Sequence, residues 1–138
     1  MLNLKNAIKS MLNLHVLAAG MDVPYWDISG FTMVSGQQIR LTANVQGRQG
    51  AIWNSVPLQS RDWEMQITFA IHGDSGKLFG DGLAIWYARD RGMTGEVFGS
   101  VNQFSGLGVF IDTYSNDFKS YAVSFLKFYV RIEINRCF

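Results

Sequence analysis

Two aspartates stand out as candidates for chemistry, because each sits at the end of a long apolar run. Asp81 precedes Leu83-Ala84-Ile85-Trp86-Tyr87-Ala88, and Asp112 follows Leu107-Gly108-Val109-Phe110-Ile111. Both runs are apolar at even and odd positions alike, the pattern of a strand covered on both faces rather than one that alternates core and solvent. A carboxylate at the mouth of such a strand is held rigidly and still meets a ligand. The bland reading of the same residues is a turn or cap, and for Asp112 an Asx-turn that closes its strand.

Other reactive side chains lack partners at useful spacing. His15 and His72 have no companion at metal-ligand spacing, and Cys137 lies beside the chain end without a catalytic histidine. One cysteine permits no intrachain disulfide. Gly76-Lys77 has the shape of a phosphate-loop fragment, but Ile71 replaces the first glycine and Leu78 the magnesium-binding Ser/Thr. A glycosidase would need two carboxyl groups about 5 to 9 Å apart across the scissile bond. Glu64 has no acidic residue two or four positions further along its strand, where Gln66 and Thr68 stand, and Asp81 is followed by Gly82 and Leu83, so no acid/base pair is found there and the chain reads as non-enzymatic.

The elements that must position these groups are strands. In 138 residues, 48% are hydrophobic, 17% charged and 14% aromatic, with 14 glycines, the composition of one globular domain rich in strand formers and turn residues. A net charge of +1 gives no electrostatic footprint for nucleic acid. No run of about 18 uninterrupted apolar residues offers a membrane span. Gln38 to Thr42 alternates through Ile39 and Leu41, Ala51-Ile52-Trp53 starts a strand that Pro57 ends, and Asp62 to Gly73 alternates most clearly. There Trp63, Met65, Ile67, Phe69 and Ile71 make a core face, and Glu64, Gln66 and Thr68 a wet one. Residues 89–102 form a long polar connection, and Leu126 to Asn135 alternates as one further strand. Short strands separated by turn signals, without a mid-chain helix, predict a β-sandwich. Trp53, Trp63, Trp86 and Phe69 belong to its core. At the N-terminus, Lys5 and Lys9, an apolar stretch to Leu17 and then Ala18-Ala19-Gly20 have the layout of a leader peptide. The preferred reading is an amphipathic helix with Leu4, Ile8, Met11, Leu12 and His15 on one face.

Seven short motifs together resemble one family. They are Pro24-Tyr25-Trp26-Asp27, Gln38-Ile39-Arg40-Leu41-Thr42, Gly50-Ala51-Ile52-Trp53-Asn54, Asp62-Trp63-Glu64, Gly80-Asp81-Gly82-Leu83-Ala84-Ile85-Trp86-Tyr87, Val97-Phe98-Gly99-Ser100, and Phe110 through Asp117. Residues from about Val23 to Asp117 resemble the L-type lectins, animal relatives of the legume lectins, in the branch of vesicular integral membrane protein 36 and the ER-Golgi intermediate compartment 53 kDa protein. The resemblance implies an all-β, concanavalin A-like antiparallel β-sandwich (a jelly roll), incomplete in this chain. It divides the chain into a divergent segment 1–20, the N-terminal part of a lectin domain over 21–117 and a divergent tail 118–138.

The implied function is calcium-dependent binding of mannose on high-mannose N-glycans, as a glycoprotein cargo receptor or in quality control, in the lumen of the ER, the ER-Golgi intermediate compartment and the Golgi. The family is membrane-anchored, although this chain has no membrane span of its own. Position by position, the resemblance makes Asp81 a sugar-binding carboxylate preceded by a cis peptide. It makes Asp112, the Tyr114 carbonyl and the Asn116 side chain calcium ligands, with Asn116 also reaching the sugar. Calcium takes six to eight hard oxygens, and an asparagine that gives its oxygen to the ion keeps an N–H for a hydroxyl. The chain departs from the family at Gly47, where a serine lines the sugar site, and from Phe118 onward, where a His, an Asp and a Gly-Asp-Leu loop complete it. The calcium site is therefore expected to be incomplete. The alternatives are a lectin fragment that binds no sugar, or a glycoside hydrolase on a similar sandwich.

Overall fold

The computed structural model describes residues 2–3, 23–35, 38–59, 62–72, 80–114 and 125–134. Among the described residues nine strands run in the order β1 (Leu2–Asn3), β2 (Trp26–Gly30), β3 (Met33–Val34), β4 (Ile39–Arg40), β5 (Gly50–Asn54), β6 (Trp63–His72), β7 (Gly82–Ala88), β8 (Gly106–Asp112) and β9 (Phe125–Ile134). Among the described residues there is no helix. The strands form a five-stranded sheet ordered β3-β4-β1-β6-β9 and two pairs, β2-β5 and β7-β8. They fall into two compact units, one of Met1–Ile71 with Leu126–Phe138 and one of His72–Phe125.

In the first unit the buried apolar side chains among the described residues are Val23, Ile39, Ile67 and Phe69, with Phe69 only 2% exposed. Ile67 and Phe69 lie two apart on β6, so the period of two that marks this stretch in the sequence is the period that buries it. The face expected to be wet is so only at Glu64, because Gln66 and Thr68 are half-buried. β6 is an inner strand with β1 and β9 on its two edges, and neighbours on both sides shade even the polar face of an inner strand. The alternating tail forms β9 and has β6 as its partner.

The strand expected over Gln38 to Thr42 shrinks to Ile39–Arg40. Beyond it the Leu41 carbonyl accepts from a side chain, Thr32 Oγ1 at 3.4 Å, instead of continuing a ladder. β5 ends three residues before Pro57, where the Val56 N–H donates to Asn54 Oδ1 at 2.8 Å and turns the chain. The N-terminal helix or leader expected from the sequence falls on residues 4–20, outside the described residues; Leu2–Asn3 pair with β4 and β6.

In the second unit β7 and β8 pair antiparallel over seven positions, from Gly82↔Asp112 to Ala88↔Gly106. Neither strand is covered on both faces as its composition suggests. Ile85 is buried, but Tyr87 is exposed and Phe110 is 44% exposed. Among the described residues this sheet has two strands only, and neither edge is paired with a third. Trp86 is accordingly half-buried, with Phe104 and Phe110 set edge-on against it at ring-centroid distances of 4.8 and 5.1 Å. Trp53 and Trp63 are also half-buried rather than fully enclosed.

Phe69→Ala removes the most enclosed ring among the described residues of the first unit. The expected cost is about 3–5 kcal/mol, a large part of the stability of a small domain, read as a lower urea midpoint at unchanged slope. A loss below about 1 kcal/mol, the usual range of a surface substitution, would contradict this placement of the core.

Candidate functional site

The β7-β8 register decides what comes together. Gly82 at the start of β7 stands opposite Asp112 at the end of β8, and the Thr113 N–H donates to the Asp81 carbonyl at 3.1 Å, extending the ladder by one pair. Asp81, Asp112 and Tyr114 thus share one end of one sheet, and all three are exposed. The Gly80–Asp81 peptide is cis. Asn116 lies outside the described residues.

This approach needs glycine at 82. A β-carbon there would lie 2.0 Å from the Ile111 carbonyl oxygen, and φ is +136°. At Gly80 a β-carbon would lie 2.8 Å from Tyr114 Cβ and 3.0 Å from its Cδ2, so the Tyr114 side chain occupies the space a residue-80 side chain would need.

The two aspartates are held differently. Asp112 Oδ1 accepts from the Tyr114 N–H at 2.8 Å, an Asx-turn that fixes the carboxylate and folds the chain after β8. The Asp81 side chain has no hydrogen-bond or ion-pair partner among the described residues. One carboxylate is therefore tied to its own loop and the other is open to a ligand.

Calcium takes six to eight hard oxygens, and the Asp112 carboxylate and the Tyr114 carbonyl are donors of that kind. They fit in type but not in number. Among the described residues no three His, Cys, Asp or Glu side chains cluster to supply more. Gly47, in the place of the family's serine, is exposed with φ +72° and has no atom within 4 Å of its would-be β-carbon.

The Val97–Ser100 turn carries no chemical signal in the sequence. Val97 and Ser100 exchange backbone hydrogen bonds of 2.9 Å in both directions, and the two residues between them, Phe98 and Gly99, have φ of +47° and +81°. This is a two-residue type I′ turn, which favours Asn-Gly at its centre. A phenylalanine is costly there. Its ring reaches Gly82, where a β-carbon would lie 3.0 Å from Phe98 Cε1, and tilts against Phe110 at 5.4 Å between centroids. Glycines on both sides of Asp81 were the available signal.

The family model described as the legume-like lectin family matches residues 5–134. The chain belongs to that family. VIP36-like protein of Homo sapiens is 56% identical over 95 residues, covering 68% of this chain and 27% of the relative. Vesicular integral-membrane protein VIP36 of Homo sapiens is 49% identical over 96 residues, 69% of this chain and 27% of that protein. Protein ERGIC-53 of Homo sapiens is 36% identical over 105 residues, 76% of this chain and 20% of that protein.

Among solved structures, the metal-free exoplasmic/lumenal domain of VIP36 aligns with a TM-score of 0.66 and 42% identity, over 80% of this chain and 46% of that one. Its Ca2+/Man3GlcNAc-bound form aligns with the same TM-score and 43% identity, over 81% and 46%. The fold class is that of these neighbours, the concanavalin A-like β-sandwich. The chain spans about a quarter of the length of the curated relatives and under half of the VIP36 domain.

Gly82→Ala and Gly47→Ser separate steric from conformational cost. The first forces a β-carbon onto the Ile111 carbonyl and is expected to open the Asp81 end of the sheet, raising amide exchange at Asp81 and Thr113. The second has open space and only a positive φ to satisfy, about 1 kcal/mol. Equal and small losses for both in urea unfolding would show that the two backbones do not close up at Gly82.

Proposed function

We propose that this chain carries part of a calcium-dependent lectin site for mannose on high-mannose N-glycans, and serves glycoprotein transport or quality control in the ER, the ER-Golgi intermediate compartment and the Golgi. The observation that carries this reading is the juxtaposition at one sheet end of an open carboxylate, Asp81, and a loop of hard oxygen donors, Asp112 and Tyr114. VIP36, whose lumenal domain has been solved with calcium and with Man3GlcNAc, supports it through sequence and fold.

Each residue type suits its role. Asp81, unpartnered and exposed, accepts hydrogen bonds from sugar hydroxyls, and a charged acceptor makes each of them stronger than a neutral one. Asp112 and the Tyr114 carbonyl would hold calcium, with the Asn116 side-chain oxygen as a third donor and its amide nitrogen turned to the sugar. When bound, the ion supplies fixed positive charge beside the hydroxyls. With so few donors calcium affinity is low, because EF-hand and similar sites reach theirs by ligand number and charge. No catalytic role is part of the proposal. The motif-bearing segment in this proposal is 21–117.

The test is retention of the chain on immobilised mannose across a calcium series. Retention at millimolar calcium, lost with a chelator and lost in Asp81→Asn, is the expected result. Asp112→Ala should shift the calcium requirement upward by about tenfold or more, as removing an anionic ligand does. No retention at any calcium concentration would show that the chain is not a working lectin, and release of free sugar from a mannoside would point to an enzyme.

A further inference from the structure

We infer that Phe98 and Tyr114 are a pair of positioning residues that fix the Asp81 peptide from its two sides. The Tyr114 side chain fills the space over Gly80, and the Phe98 ring lies over Gly82. Asp81 is the residue between them. Its carbonyl is pinned by the Thr113 N–H at 3.1 Å, and the Tyr114 backbone is pinned in turn by Asp112 Oδ1 at 2.8 Å. The side chain of Asp81 itself has no partner among the described residues, so its direction is set by its backbone, and that backbone is set by its neighbours.

Phe98 carries the stronger part of the argument. A type I′ turn is best served by Asn or Gly at its first central position, yet a phenylalanine sits there at φ +47°. What the ring does in return is cover Gly82 and lean on Phe110. A residue in an unfavourable backbone region persists where the surroundings hold it, and such residues gather at binding sites. Tyr114 makes the complementary contact from the other loop. The glycines at 80 and 82 are the counterpart, because any side chain at either would displace a ring or strike the Ile111 carbonyl.

The effect on sugar binding rests on Asp81 being the sugar-facing carboxylate; the effect on Asp81 itself does not. The test therefore has two arms on the whole chain. In NMR of the unliganded wild type without calcium, the Gly80 and Gly82 α-protons should show ring-current shifts and cross-relaxation to the Tyr114 and Phe98 rings. Tyr114→Ala and Phe98→Asn should each move the Asp81 amide and carboxyl resonances and leave Leu107, at the far end of the sheet, in place. Tyr114→Phe and Phe98→Tyr, which keep a ring, should leave Asp81 unmoved. Phe98→Asn also restores the residue type the turn favours, so a role confined to holding the turn would leave Asp81 where it is.

Absence of the α-proton contacts in the wild type, or unmoved Asp81 resonances in both ring-deleting variants, overturns the inference. In the second arm, mannose affinity falls about tenfold in the ring-deleting variants, the scale of one carboxylate-accepted hydrogen bond, and is kept in Phe98→Tyr. A wild type that binds no mannose defeats the lectin reading and leaves the first arm to decide the positioning role.

Discussion

The closest approach of backbone to backbone at the end of the β7-β8 pair is the constraint on which the candidate site depends. Gly82 meets the Ile111 carbonyl where no β-carbon fits, and this lets the residue before it, Asp81, hydrogen-bond to Thr113 and stand beside the loop that begins at Asp112. Two exposed carboxylates would not be brought together by the hydrophobic effect, which is indifferent to them. They are brought together by the antiparallel β7-β8 register, which sets Gly82 opposite Asp112; a slip of one residue would turn every side chain of the slipped strand to the opposite face.

The two carboxylates are held differently because their surroundings differ. Asp112 spends one oxygen on its own loop, through the Tyr114 N–H, and so becomes part of a stiff turn. The Asp81 side chain has no partner among the described residues; the glycines beside it lie under the Tyr114 side chain and the Phe98 ring, and its carbonyl accepts from the Thr113 N–H. Preorganisation of this kind raises affinity by removing the cost of ordering a side chain when a ligand arrives. The relatives place the arrangement in a family whose VIP36 member has been solved with calcium and mannose oligosaccharides. The metal-free form of that domain aligns with this chain just as well, so the fold match speaks for the scaffold and not for an ion.

Much of this was legible in the residues. The period of two from Trp63 to Ile71 named β6 and its buried Ile67 and Phe69, and the apolar runs named β7 and β8 with an aspartate at the end of each. The resemblance supplied the cis Gly80–Asp81 peptide. What composition could not convey was exposure: runs apolar at both parities suggested full cover, whereas a two-stranded sheet leaves Tyr87 and Phe110 open. Nor did the sequence show why Phe98 stands in a turn that prefers asparagine, because the reason is a contact with Gly82 sixteen positions away along the chain. Ile39–Arg40 came out shorter than its pattern because a threonine side chain takes the next carbonyl.

The most direct test of the central claim, that Asp81 and the Asp112 loop form one carbohydrate-recognition surface, is a titration of the isotope-labelled chain with mannose at saturating calcium, followed by amide resonances. Perturbations concentrated at Gly80 to Gly82 and at Asp112 to Tyr114, and absent without calcium, are the predicted result. Perturbations that spare Asp81 while appearing elsewhere on the chain, or none at any mannose concentration, would contradict the account.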